Sequence, residues 1–163
     1  MHRAFVAQRI EELTKSIAEG GPREAAIRAL LYIRMPEGAV DERGFNLLRR
    51  MRDAAGGGLS LDAFKMLVRE QFLMLLLDER RAVNAIPEML AKDRKSTSRM
   101  AGIVHRVISA VGLRTDLERA RLAEVERLFE AERSIEPSTL EVDASRLARG
   151  TQESSQPART AKH

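Results

Sequence analysis

The segment Glu37-Gly38-Ala39-Val40-Asp41-Glu42 places three carboxylates on what reads as a turn. Carboxylates crowded in this way are donors for a hard cation such as Ca²⁺ or Mg²⁺, so Glu37, Asp41 and Glu42 are the candidate metal ligands. The plainer reading is that Asp41 caps a helix and Glu42 favours its dipole. A second pattern is cationic. Lys92, Lys95, Arg99 and Arg106 fall within roughly 60° of one another if one helix starts early enough to hold them all. Such a stripe suits phosphate or an acidic partner, and its plainer reading is a solvated helix face.

Catalysis requires a nucleophile with its base, or an acid–base pair, held in a site. His2 and His163 are terminal, which leaves His105, between Val104 and Val107, as the histidine of the folded part. A lone helical histidine in that setting reads as a partly buried structural residue. The chain has no G-x-S-x-G elbow, P-loop, G-x-G-x-x-G or histidine-based metal motif. Cysteine is absent, which removes disulfides, thiol nucleophiles and cysteine metal sites. The expectation is a non-enzymatic chain with no cofactor.

Positioning these residues falls to helices. The 163 residues suffice for one domain with a tail, and a 4% aromatic content without long alternating β-branched runs predicts an all-α class. The most apolar stretch is Leu59 to Asp78, with Ser60 as N-cap and Asp62 in the first turn. Leu61, Phe64, Leu67, Val68, Gln71, Phe72 and Leu75 form one stripe. From Phe72 to Leu77 the whole circumference is apolar, which predicts a central helix surrounded by the bundle. Its charged residues leave too short an apolar run for a membrane span.

The remaining elements follow from punctuation and period. Residues 1–19 form a helix with Val6, Ile10, Leu13 and Ile17 on one face, ended by Gly20 and Gly21. Pro22 opens a second helix to about Arg34, with Arg23, Glu24 and Arg28 outward. After the turn Met35 to Gly38, Asp41 introduces a third helix that buries Phe45, Leu48 and Met51 and exposes Arg49, Arg50 and Arg52. Gly56, Gly57 and Gly58 break the chain, and Pro87 kinks a short segment or opens a new turn. Ala91 to Ser98 reads as a basic loop before a helix closed by Gly112. Thr115 and Glu118 have capping-box spacing for a last helix burying Leu117, Val125, Leu128 and Phe129.

The fold class expected is therefore an all-α orthogonal bundle of six or seven helices over 1–133. A mostly disordered tail follows over 134–163. Four acids balance four bases in that tail, so the net charge of +4 belongs to the folded part. A value so modest does not by itself argue for nucleic acid as a partner. MHRAFVAQRIEELTK is amphipathic rather than a signal segment, which makes cytoplasmic location the default.

The segments EGGPREAAIRALLYIRMPEGAVDERGFNLLRRMR, LSLDAFKMLVREQFLMLLLDE and AVNAIPEML resemble the C-terminal helical region of an uncharacterised proteobacterial family, the polyhydroxyalkanoate synthetase-like proteins. The resemblance covers most of residues 9–129. It implies an α/β-hydrolase-type domain ahead of this region in full-length members. That part and its nucleophile elbow are not in this sequence, so no catalytic residue carries over. A fainter similarity links GAVDERGF to tellurite-resistance B-type helical domains. Their Ala-Asp-Gly turn is replaced here by Met35-Pro36-Glu37-Gly38, leaving Gly38, Asp41 and Glu42.

Three functions follow as expectations. The first is an interaction or regulatory domain of a polyhydroxyalkanoate synthetase-like system, the second a metal-responsive stress module, and the third an anion or nucleic-acid binder. For the first, the partner is a synthase-like hydrolase domain or chain, or a second copy. Phe5 and Val6 are its expected contacts, because they carry the first helix's apolar face almost to its end.

Overall fold

Helix α2, Pro22–Arg34, is the element around which the others pack. Its small residues Ala25, Ala26 and Ala29 let neighbours approach closely, while Ile27, Leu30 and Ile33 fill the space between them, all at 0% exposure. A computed structural model describes residues 2–34, 42–55, 57–113 and 115–134, and Met1–Glu132 form one compact unit. The described residues make an all-α bundle.

Helix α1 is His2–Lys15, continued by a 3₁₀ turn at Ser16–Ala18. The chain then reverses at Gly20, whose φ of +93° suits glycine. Helix α3 is Glu42–Ala55 and α4 is Leu61–Leu77. The Ser60 hydroxyl caps α4 by accepting from Ala63 N at 3.2 Å. Helices α5, Glu79–Asn84, and α6, Ile86–Ala91, are short. Asp78 caps the first by accepting from Arg81 N, and Pro87 stands in the first turn of the second. Helices α7, Arg94–Val111, and α8, Asp116–Ser134, complete the bundle. Gly112 closes α7 at a φ of +79°, and Thr115 Oγ1 accepts from Glu118 N at 3.1 Å to start α8.

Four expectations change. Helix α4 is not the centre of the core: it buries Phe64, Gln71, Met74 and Leu75 but leaves Phe72 40% and Leu76 58% exposed. An apolar circumference shows that a helix has more apolar surface than one face, not that the bundle supplies a neighbour for all of it. Arg28 is not outward; it is fully buried. Helix α7 begins at Arg94 rather than after Ser98, because Asp93 accepts from Ser96 N and Oγ and fixes the first turn. Leu117 is exposed because the buried face of α8 is centred on Glu118, Val125 and Phe129, about 100° away.

Met51 is buried and Arg49, Arg50 and Arg52 are exposed, as the third-helix pattern predicts. The side chains of Phe45 and Leu48, the cap at Asp41, the Met35 to Gly38 turn and the tail beyond Ser134 lie outside the described residues. Among the described residues, no helix is long and apolar enough to cross a membrane.

Candidate interaction surfaces

Two helices meet at the apolar surface. Arg9 Nη2 lies 3.0 Å from Glu70 Oε1, joining α1 to α4. Further along the chain in both, Ile17 O in the 3₁₀ turn that follows α1 and Met74 Sδ on α4 accept from the same Arg28 guanidinium. The order is the same on both, so α1 and α4 run in parallel. Phe5 and Met66 each stand one turn before the Arg9–Glu70 bridge and are 70% and 64% exposed. Val6 and Ile10, on the inner row of α1, are also exposed, and burial begins only at Leu13. Leu77 shares the Met66 side of α4. Leu61, Phe72 and Leu76 form a second exposed strip, within about 60° of one another. Isolated exposed apolar side chains are ordinary; a set spread over two packed helices makes this pair the candidate docking surface.

What holds α4 in place is a buried cation. Arg28 Nε donates to Gln71 Oε1 at 2.8 Å, and Nη1 donates to Ile17 O at 2.7 Å and Ala82 O at 2.9 Å. Nη2 points at Met74 Sδ, 3.2 Å away. One side chain thus ties α2 to the 3₁₀ turn, α4 and α5. Desolvation lowers its pKa to about 10, partly opposed by Glu24, and it stays charged at neutral pH. One part of the arrangement was visible in the sequence: Arg28 is the lone polar residue between Ala25 and Leu31, whereas Gln71 follows Arg69 and Glu70 and stands out in no such way.

A second brace fastens α8. Tyr32 donates its hydroxyl to Glu124 Oε2 and accepts from Arg80 Nη2, both at 2.6 Å, while Arg80 Nη1 reaches Glu124 Oε1 at 2.8 Å. Arg121 lies over the Tyr32 ring, 4.4 Å from its centroid, and donates to Tyr32 O. Burial, followed by the Glu124 bond, raises the Tyr32 pKa; the Arg80 bond lowers that of Glu124. Arg34 Nη1 meets Glu118 Oε1 at 3.0 Å, where Glu118 is fully buried. This network was not anticipated, since its partners lie 44 to 92 positions apart in sequence.

The cationic residues separate. Lys92 lies outside α7 and donates to Ala18 O at 2.7 Å, bracing the 3₁₀ turn. Lys95, Arg99 and Arg106 remain together on the exposed side of α7. His105 is exposed rather than partly buried, with Nε2 3.3 Å from Glu126 Oε1 on α8. Of the metal candidates, Glu37 and Asp41 lie outside the described residues, and Glu42 opens α3 with its side chain undescribed. Among the described residues, no group of three potential ligands comes together.

A relative shares this region. The chain is 41% identical over 130 residues to the Uncharacterized protein in ackA 5'region of Rhizobium meliloti, an alignment that takes in 78% of this chain and 18% of the relative. The chain thus spans under a fifth of the length of the curated relative it matches. No family model matches the chain, and no solved structure matches it.

Proposed function

We propose that the helical unit is a non-catalytic, cytoplasmic interaction domain of a polyhydroxyalkanoate synthetase-like system, and that its α1–α4 surface docks the α/β-hydrolase-type part of that system. The single observation that carries this is the set of apolar side chains left exposed on the packed helices α1 and α4: Phe5, Val6, Ile10, Met66 and Leu77. Two further facts support it. The Rhizobium relative is more than five times as long as the aligned stretch, so this kind of unit exists joined to a much larger polypeptide. The buried groups Arg28, Tyr32 and Glu118 and the half-buried Glu124 are engaged with backbone and other side chains as braces, which suits a scaffold.

The test is co-purification. The chain is mixed with the remainder of the Rhizobium relative, expressed without its matched region, and the mixture is resolved by sedimentation. A complex weakened at least tenfold by Phe5→Asp or Met66→Asp supports the reading. A complex indifferent to both substitutions, or none at tens of micromolar, removes it.

A further inference from the structure

The exposed face of α7 has a composition unlike the rest of the molecule. Arg94–Val111 contains no acidic residue. Its solvent side, read at 100° per residue, carries Lys95, Ser98, Arg99, Gly102, Arg106 and Ser109. These are cations, hydroxyls and a glycine, and the one exposed apolar residue beside them is the small Ala110 at the margin. The cations at its margins are already committed: Arg94 pairs with Glu132, Lys92 caps the 3₁₀ turn, and His105 faces Glu126. Lys95, Arg99 and Arg106 form no ion pair among the described residues. The nearest acid in sequence, Asp93, turns its carboxylate to Ser96 and also feels the charge of Lys95, without forming an ion pair. The net charge of +4 averages over a chain in which the charges are segregated, so it conceals this face.

Gly102 is the second observation. A glycine inside a helix is unfavourable relative to alanine. Here a Cβ would meet nothing within 4 Å, so no internal packing requires the glycine. It leaves the backbone bare between Arg99 and Arg106, one turn to either side, where a ligand is able to come close.

We propose that this face of α7 binds the phosphate backbone of duplex nucleic acid without reading its sequence. Guanidinium forks and hydroxyl donors are the groups that engage phosphate oxygens. Lys95 and Arg106 stand about 16.5 Å apart along the axis, enough to reach phosphates on both sides of a groove roughly 12 Å wide. Ser98 and Gly102 between them let the helix sit low. A protein-docking face would carry an apolar or aromatic anchor at its centre, and this one has none. A single strand would call for aromatic stacking platforms, which α7 lacks. A lipid surface would call for apolar side chains to insert. The α1–α4 surface is separate, with α2 packed against both α4 and α7.

The test is fluorescence anisotropy of the full chain with a fluorescein-labelled, mixed-sequence DNA duplex. Three phosphate contacts predict a slope of about −2.7 in log K against log salt, hence about a 40-fold loss of affinity from roughly 50 to 200 mM NaCl. Each of Lys95→Gln, Arg99→Gln and Arg106→Gln should flatten the slope by about 0.9, and the triple variant should not bind. Gly102→Glu should weaken binding at least tenfold with helicity unchanged, and Phe5→Asp should leave binding intact. No binding at tens of micromolar protein in roughly 50 mM NaCl overturns the proposal, as does full binding by the triple variant. So does preference for polyglutamate or phosphatidylglycerol vesicles over the duplex.

Discussion

Replacing Arg28 by Met keeps an unbranched, largely apolar stem, is shorter at the tip, and removes the donors. Four bonds disappear, to Gln71 Oε1, Ile17 O, Ala82 O and Met74 Sδ. The sulfur loses little, because thioether acceptors are weak. The two carbonyls and the Gln71 amide oxygen are left inside the protein, and each orphaned acceptor costs about 1–3 kcal/mol. The gain is the desolvation penalty no longer incurred, which the depressed Arg28 pKa of about 10 shows to be real. The balance is a loss of about 3–5 kcal/mol, as for other buried charges whose partners stay behind. For a domain of this size that lowers Tm by on the order of 10–20 °C. Urea unfolding followed by helical circular dichroism measures it. Arg28→Met/Gln71→Leu should recover about 1–2 kcal/mol of the loss, because it removes one of the orphans. A single-variant loss under about 1 kcal/mol would refute the view that this cation joins four elements.

Three other outcomes follow from the same geometry. Tyr32 is the only tyrosine and tryptophan is absent, so phenolate absorbance reports it alone. It should ionise above the ordinary value of about 10 in the folded chain and near that value in urea. Its raised pKa contributes stability that is present below pH of about 10 and is lost as pH rises through the folded value. Glu124, held low by Arg80, contributes stability above its unfolded pKa that is lost as pH falls through the folded value; a normal tyrosine titration would contradict the brace. Leu75→Ala should cost about 2–5 kcal/mol, whereas Leu76→Ala, more than half exposed, should cost under about 1 kcal/mol in the same urea series. Gly102→Ala should raise stability by about 0.5–1 kcal/mol. Gly20→Ala should lower it, since the φ of +93° and a Cβ contact of 2.9 Å to Glu24 Cβ both resist a side chain.

Punctuation was the legible part of this chain. Ser60, Gly112 and Thr115 act through hydrogen bonds to backbone within a few residues and Pro22 through its fixed φ, and local sequence contains all that such effects need. The all-α class followed likewise from period and composition. Which helix lies at the centre did not. The run Phe72 to Leu77 is more apolar than anything in α2, yet α2 is the surrounded helix, because Ala25, Ala26 and Ala29 admit neighbours on several sides. Centrality depends on how closely other helices approach, and hydropathy does not encode that. Arg28 was misplaced for a related reason: charge marks a residue as outward unless its acceptors are known, and these come from three other elements. At the candidate surfaces, Phe5 and Val6 are exposed as their position at the end of a helix suggested. Leu77 belongs to the apolar run that read as core, and Met66, next to Lys65, was assigned to neither face; both are exposed. Lys92 left the cationic stripe because Asp93, one residue on, caps α7.

The measurement that bears most directly on the interaction-domain account is sedimentation of the chain with the remainder of the Rhizobium relative, compared with Phe5→Asp and Met66→Asp. The account predicts a complex for the native chain, at least a tenfold loss of affinity for each variant, and unchanged helicity in both. A native chain that sediments alone at tens of micromolar, or variants that bind as well as it does, would contradict it.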